Sequence, residues 1–244
     1  QQGIAVPVPL MVNGQAIFSL KDKPAQIAPR LHGQHPMPAT VEQVRQIASA
    51  QANMHVALQD FPLQRSEVRD HRYWMQVARE LKPTLTPPDQ MLLSKLLGMF
   101  EALTAAYPDR PRGLIHSDLF RDNTLFIGNQ LTGILDFYEM NHDELLFDVA
   151  ISINDFCTEY PSLELNEDKA IAFLTAYDAI RRLTDDERAC LEIYLAMAAG
   201  RFWLMRLRVA AKNSELGLSS ADILHKNPNE MRNMLIDRLK FVTA

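Results

Sequence analysis

The stretch IHSDLFRDNTLFIGNQLTGILDFY, residues 115–138, decides the fold of this chain. Apolar runs on both sides of Gly128-Asn129 predict a hairpin with strands at 124–127 and 131–136. Asp118 and Asn123 precede the hairpin and Asp136 ends it, so we expect the three side chains to meet in one cleft. Phosphoryl transfer needs one carboxylate at the acceptor hydroxyl, and a second carboxylate and an amide oxygen for Mg²⁺. The spacing therefore predicts phosphoryl transfer from a nucleotide.

The segments that follow and precede this hairpin are predominantly helical. Thr40 with Gln43 forms a predicted capping box, and a further helix is predicted over 89–107. Beyond Asp143 the pattern predicts only helices, with starts at Thr184 and at Asn227-Pro228. Taken with the inserted hairpin, this pattern predicts an α+β fold with a mostly helical body.

The first 38 residues differ from the rest, because prolines alternate with apolar residues there. Asn13-Gly14 predicts a hairpin turn with a returning strand over 15–20. A turn is predicted over 21–24, a short strand over 26–31, and a linker over 33–38.

Composition excludes several classes of protein. The chain has 25 basic and 30 acidic residues, a formal net charge of −5, which argues against a nucleic-acid partner. No apolar run is long enough to span a membrane, and no basic and apolar leader begins the chain. Cys157 and Cys190 are too far apart for a metal spacing and fit no disulfide framework. We therefore expect a cytoplasmic protein without membrane or nucleic-acid partners.

The pattern His116-x-Asp118-x-x-x-x-Asn123, followed by Asp136, resembles the catalytic and metal-binding loops of the protein-kinase-like fold. Because Phe137-Tyr138 follows that last aspartate, the chain more closely resembles the aminoglycoside phosphotransferase and choline kinase branch. Within it, the bacterial homoserine kinases are the most similar in local sequence. That similarity lies in residues 119–123, 135–138, 147–150 and 154–157.

The resemblance implies ATP and Mg²⁺ as cofactors and L-homoserine, a small amino alcohol, as the substrate. It implies Asp118 as the catalytic base, with Asn123 and Asp136 as metal ligands. His116 would organise the catalytic loop, and Asp148 would brace it. It also implies two parts, with residues 1–38 as the remnant of an N-terminal lobe and hinge and 39–244 as the helical C-terminal lobe.

The resemblance also implies sites for the nucleotide and for the substrate. The hinge that would pass the adenine contains Ala28, Pro29, Arg30 and Leu31. Candidates for holding the ammonium and carboxylate of homoserine are Tyr138, Asn154, Asp155, Arg201 and Arg206.

One departure from the family pattern affects the expected activity. No Gly-x-Gly occurs, and Lys21 and Lys23 are poor substitutes for the phosphate-binding lysine. We therefore expect that about the first third of a usual chain is absent and that these residues bind ATP weakly. Two alternatives remain. One is an aminoglycoside or choline-type kinase, and an aminoglycoside kinase would need an acidic substrate pocket. The other is a non-catalytic binding module. The oligomeric state stays open.

Overall fold

The computed structural model describes residues 4–62, 69–215 and 226–242. The helices there are α1 (Val41–Ala57), α2 (His71–Leu81), α3 (Pro87–Ala106), α4 (Leu145–Phe156), α5 (Glu167–Asp178), α6 (Asp185–Glu215) and α7 (Pro228–Arg238). The strands are β1 (Phe18–Leu20), β2 (Lys23–Ala25), β3 (Arg112–Ile115), β4 (Thr124–Ile127), β5 (Gln130–Ile134) and β6 (Asn141–Glu144). Helices thus make up most of the body, which confirms the α+β prediction.

The strands form three antiparallel pairs, and two of these pairs carry the predicted site. β4 pairs with β5 around a turn in which Gly128 has a φ of 58°, a left-handed conformation that glycine adopts without strain. β3 pairs with β6, and α4 begins directly after β6. The loop after β3 and the loop after β5 are thereby brought to the same end of the strands.

The helical core forms around α4, in which every residue is buried. This helix packs against α6, which also packs against α3 and α7, while α1 packs against α5. Because α4 is enclosed on all sides, its polar residues must find partners within the protein. The helices therefore provide a rigid base for the loops at the strand ends.

The N-terminal segment lies against the catalytic hairpin. Gln34 and Phe126 exchange two backbone hydrogen bonds of 2.9 Å, and Ile134 N donates to the carbonyl oxygen of Ala5 at 2.7 Å. Gly33 has a φ of 144°, and a Cβ there would lie only 2.9 Å from the backbone nitrogen of Phe126. The close approach of these two segments therefore requires glycine at this position.

Most of the predicted elements are confirmed. Thr40 and Gln43 form the complete capping box of α1, and Thr184 and Glu187 cap α6 in the same manner. Asn227 caps α7. The predicted hairpin turn at 13–14 is present, with both residues at positive φ and a β-bridge across it.

Three details of the prediction were wrong. The strand predicted over 26–31 is extended coil, because the 21–24 turn is tighter than expected and Lys23–Ala25 already pairs with β1. No strand was predicted at β6, since its short polar sequence, Asn-His-Asp-Glu, lacks the apolar pattern of a strand. Helix α2 was not predicted at all. The division of the chain at residues 38 and 39 stays a prediction.

Within the described ranges, no helix combines the length and the apolar character that crossing a membrane requires.

A buried histidine makes stability depend on pH. His71 Nδ1 lies 2.7 Å from Asp143 Oδ1, and its backbone N–H donates to Asp143 Oδ2 at 2.7 Å. Burial alone would lower the pKa of His71, but the hydrogen bond and the charge of Asp143 raise it above 6.5. The raised folded-state pKa stabilises the protein fully below pH 6.5, and this contribution is lost as the pH rises through the folded value.

We therefore expect Tm to fall between pH 6.5 and 8.5 in the native protein, and this fall to shrink in His71→Gln. Thermal unfolding followed by circular dichroism at half-unit pH steps measures the difference. His142→Gln, which changes an exposed histidine of β6, is the matched control and should keep the native pH dependence. An equal fall of Tm in His71→Gln would contradict the assignment.

Candidate active site

The loop after β3 is tied to the loop after β5 by His116. Its Nε2 donates to the carbonyl oxygen of Leu135 at 2.9 Å, and its Nδ1 accepts from the backbone N–H of Asp118 at 3.3 Å. The ring packs 4.7 Å from the ring centroid of Phe137. Burial lowers the pKa of His116, which favours the neutral ring that these two contacts require. His116 thus joins both loops, as the proposed organiser role requires.

Asp148 of α4 holds the same loop from below. Its Oδ1 accepts from the backbone N–H of Ser117 at 2.7 Å, and its Oδ2 accepts from His116 N at 3.1 Å. Oδ2 also accepts from Gln51 Nε2 at 2.9 Å and from His55 Nε2 at 3.0 Å. Burial alone would raise the pKa of Asp148, but the hydrogen bond from His55 and the other donors lower it to about 2. A permanently charged carboxylate therefore fixes the loop backbone.

Asp118 and Asn123 contact each other directly. Asn123 Nδ2 donates to the carbonyl oxygen of Asp118 at 2.7 Å and to its Oδ2 at 3.1 Å. Burial raises the pKa of Asp118 to about 6, and the charge of Arg201 and the Asn123 hydrogen bond oppose this increase only in part. A carboxylate with a pKa near 6 is well matched to accept a proton at neutral pH.

Asp136 lies next to Asn123 at the far end of the hairpin. Leu135 N donates to the Asn123 carbonyl oxygen at 2.8 Å, which brings the two loops into contact. Asp136 is exposed and has a φ of 58°, a left-handed conformation that aspartate tolerates better than most residues. Among the described residues, neither its carboxylate nor Asn123 Oδ1 accepts a hydrogen bond, so both oxygens are available to a cation. Carboxylate and amide oxygens are the donors that Mg²⁺ prefers, so this pair fits the predicted metal site.

A cavity of about 470 Å³ opens beside the catalytic loop, between α4, α6 and the start of α7. Its charged lining residues are Arg121, Asp122, Asp155, Arg206, Lys226 and Glu230. The basic and acidic members are paired, so the described part of the cavity lining has three positive and three negative groups. Two aromatic residues, Phe120 and Tyr160, also line the cavity.

The five residues predicted to bind substrate lie in different environments. Both amide atoms of Asn154 are used in the core, where Nδ2 donates to the Leu195 carbonyl oxygen and Oδ1 accepts from Arg238. Asp155 accepts from the guanidinium and backbone N–H of Arg121, at distances from 2.6 to 3.3 Å. Both side chains are thus engaged by other residues of the protein.

The remaining three substrate candidates are also separated. Tyr138 is 85% exposed at the surface. Arg201 is buried, and its Cζ lies 5.3, 5.7 and 4.9 Å from the ring centroids of Trp74, Phe147 and Phe202. Arg206 lines the cavity, and the Nε atoms of Arg201 and Arg206 are both buried without a partner among the described residues. Of the five candidates, Asp155 and Arg206 line the cavity, and the role of all five in substrate binding stays a prediction.

The predicted nucleotide segment is exposed coil that crosses the hairpin. Ala28, Pro29 and Arg30 are exposed, while the Leu31 side chain packs over Gly133 of β5. Exposed backbone groups here are compatible with binding adenine, and their role stays a prediction.

Sequence reasoning did not identify Arg121, Lys226 or Glu230. Arg121 lies within the motif itself, and its position between Asp118 and Asn123 was a usable signal. Lys226 and Glu230 are about a hundred residues away in the sequence, and no local pattern marks them. The contact between α7 and the catalytic loop is visible only in the fold.

Comparison with known proteins agrees with this geometry. The model of the phosphotransferase enzyme family matches residues 1–183. A homoserine kinase from Cupriavidus taiwanensis is 36% identical over 215 residues, which is 85% of this chain and 64% of that protein. A homoserine kinase from Pseudomonas aeruginosa is 33% identical over 239 residues, which is 98% of this chain and 74% of that protein. The chain thus spans about two thirds of the length of such relatives.

Solved structures share the architecture at lower identity. A choline/ethanolamine kinase family protein from Mesorhizobium loti superposes with a TM-score of 0.66 at 16% identity, covering 98% of this chain and 73% of that one. A microcompartment-associated aminopropanol kinase gives 0.65 at 16% identity, covering 97% and 73%. The family match over three quarters of the sequence confirms the predicted resemblance. The chain therefore belongs to the phosphotransferase enzyme family and has the protein-kinase-like fold of its aminoglycoside phosphotransferase and choline kinase members.

Proposed function

We propose that the protein transfers the γ-phosphoryl group of ATP to the hydroxyl of L-homoserine, with Mg²⁺, to form O-phosphohomoserine. The observation that carries this proposal is the contact between Asp118 and Asn123 beside an available Asp136. The set combines a partly buried carboxylate, whose pKa is raised to about 6, with two oxygen donors that have no other partner among the described residues. A protein that only binds small molecules has no need of that combination.

The chemistry assigns one role to each residue. Asp118 orients the acceptor hydroxyl and accepts its proton as the new O–P bond forms and the bond from phosphorus to the ADP oxygen breaks. Asn123 Oδ1 and the Asp136 carboxylate would hold Mg²⁺. When bound, that ion neutralises charge on the phosphates. His116 and Asp148 keep the loop in place through contacts at both of its sides.

The charge balance of the cavity favours an amino acid over an aminoglycoside. An aminoglycoside carries several positive charges and requires an excess of carboxylates, whereas the described residues of this cavity lining supply three groups of each sign. A zwitterion matches a balanced lining. The homoserine kinases that are 33–38% identical to the chain support the same substrate.

The test is release of ADP from Mg²⁺-ATP by the full-length protein, with homoserine, choline and kanamycin as separate acceptors. We expect release with homoserine alone, and a phosphate-ester signal of O-phosphohomoserine in the ³¹P NMR spectrum. Release with choline or kanamycin alone would overturn the substrate and keep the reaction class. A folded protein that is silent with all three would overturn the proposal and support a binding module.

The raised pKa of Asp118 predicts the acid side of the pH profile. Because only the ionised carboxylate accepts a proton, kcat/KM should decline about tenfold per unit as the pH falls below about 6. Initial rates between pH 5 and 8, at saturating Mg²⁺-ATP, measure this limb. A limb near pH 4, the ordinary range of an aspartate, would argue that another group is the base.

A further inference from the structure

Arg206 has a hydrogen-bond donor that the protein leaves unused. Its side chain is 10% exposed, and Nη1 donates to the carbonyl oxygen of Asn227 at 2.8 Å. Both Nη atoms lie 3.3 Å from Glu230 Oε1, at the long end for an ion pair. Nε is buried without any partner among the described residues. An unmet buried donor on a charged group is costly, which points to a ligand that completes it.

The fold places this donor beside the catalytic loop. Arg206 follows Phe202 by four residues on α6, so the two side chains share one face of the helix. The Phe202 ring packs edge-on against Phe120 of the loop, with centroids 4.7 Å apart. Phe120 lies two residues after Asp118 and lines the same cavity as Arg206. A ligand on Arg206 is therefore next to the loop that carries the proposed base.

The other cations of the cavity are less suited to a ligand. Arg121 pairs with both carboxylate oxygens of Asp155, and its Cζ lies 4.8 Å from the ring centroid of Tyr160. Lys226 is half exposed and pairs with Asp122 at 3.1 Å. An exposed pair of this kind contributes little and is not shielded from water. Of the three described cations that line the cavity, Arg206 combines a largely buried side chain with an unused donor, and Arg201, which has a similar donor, does not line it.

Glu230 supplies the complementary half of the site. Only its Oε1 faces Arg206, and Oε2 accepts no hydrogen bond among the described residues. The ammonium and the carboxylate of an α-amino acid are borne by the same carbon atom. Such a head group therefore fits a neighbouring pair of opposite charges, with each charge finding its counterpart.

We propose that Arg206 and Glu230 form the subsite for the head group of the substrate. Arg206 binds the α-carboxylate through its guanidinium, and Glu230 binds the α-ammonium through Oε2. The side-chain hydroxyl then extends along the cavity wall toward Asp118. This subsite rests on the proposed function and deepens it, because it makes the enzyme selective for a hydroxylated α-amino acid over an amino alcohol that has no carboxylate.

The experiment compares homoserine with two molecules that each lack one half of its head group. 3-Aminopropan-1-ol lacks the carboxylate, and 4-hydroxybutyrate lacks the ammonium. In Arg206→Gln, kcat/KM for homoserine should fall about 100-fold while the low value for 3-aminopropan-1-ol stays within about threefold. In Glu230→Gln, kcat/KM for homoserine should fall by a similar factor, while kcat/KM for 4-hydroxybutyrate should stay nearly unchanged.

For each variant, the ratio of kcat/KM for homoserine to kcat/KM for a truncated substrate is measured on one preparation. A smaller folded fraction lowers both values equally and leaves the ratio unchanged. Arg208→Gln is the matched control, because it removes an exposed arginine of the same helix whose hydrogen bond among the described residues goes to the Tyr73 hydroxyl. It should leave both ratios unchanged. An equal fall of kcat/KM for homoserine and for the truncated substrates, or no fall for any of them, would overturn the subsite.

Titration calorimetry with homoserine separates failure of the subsite from failure of the function. Binding that Arg206→Gln abolishes, without ADP release by the native protein, would support the subsite and overturn the kinase activity. Turnover of homoserine that is insensitive to Arg206→Gln would support the activity and overturn the subsite. Absence of both binding and turnover would overturn both.

Discussion

Asp118→Asn is expected to lower kcat by about 100- to 10,000-fold, the range typical for loss of a general base. Asparagine has nearly the shape of aspartate and can still contact Asn123, but it cannot accept a proton at neutral pH. KM for the acceptor should change little, because the cavity beside the loop is unaltered. Initial rates of ADP release by the full-length protein measure both quantities.

Stability measurements separate this chemical effect from damage to the fold. Burial raises the pKa of Asp118 to about 6, so the protein gains nothing in stability from its charge at neutral pH. Tm of Asp118→Asn should therefore equal or exceed that of the native protein. Asp168→Asn, an exposed substitution in the first turn of α5, controls for the change of charge. A kcat within fivefold of the native value would show that Asp118 is not the base.

Asp148→Asn is expected to lower the free energy of unfolding by about 3 kcal/mol or more, as when one partner of a buried ion pair is removed. The native carboxylate accepts hydrogen bonds from His116 N, Ser117 N, Gln51 and His55. The replacing amide has one acceptor atom and would turn an NH₂ group toward at least one of these donors. Urea unfolding at pH 7 gives the difference.

The pKa of Asp148 predicts how this difference changes with pH. The folded value is lowered to about 2 from 3.8, so the carboxylate stabilises the protein above pH 3.8 and loses that effect as the pH falls through 2. The difference in the free energy of unfolding between the native protein and Asp148→Asn should therefore be smaller at pH 2.5 than at pH 7. Asp168→Asn, which removes a first-turn carboxylate of α5, should lower the free energy of unfolding by at most about 1 kcal/mol at pH 7. A gap that is constant with pH would contradict the assigned charge of Asp148.

The sequence was sufficient to predict the centre of this site. Asp118, Asn123 and Asp136 lie at the two ends of one hairpin, and a hairpin is a local structure whose turn and strands are visible in the chain. The capping boxes of α1 and α6 are local for the same reason. Such features depend on residues within a few positions of each other, so their pattern predicts their geometry.

The cavity was not predictable because its residues are brought together by packing. From the sequence, Asp155 is a candidate for binding the substrate. In the structure, however, Arg121, 34 residues earlier, donates to both of its carboxylate oxygens. Asn154, one position before it, faces the core instead. Which face of α4 meets the catalytic loop depends on how α6 and α7 pack, and that packing has no local signature. Glu230 became visible only through this arrangement.

The contacts between the N-terminal segment and the catalytic hairpin affect how the site assembles during folding. Ala5 bonds to Ile134, and His35 bonds to Thr124 across 89 residues. Closing loops of this length costs more chain entropy than forming the hairpin turn itself. The two strands can therefore form early, while their edges stay unpaired until distant parts of the chain meet. The catalytic loops reach their final geometry only when this late step has joined the N-terminal segment to the hairpin.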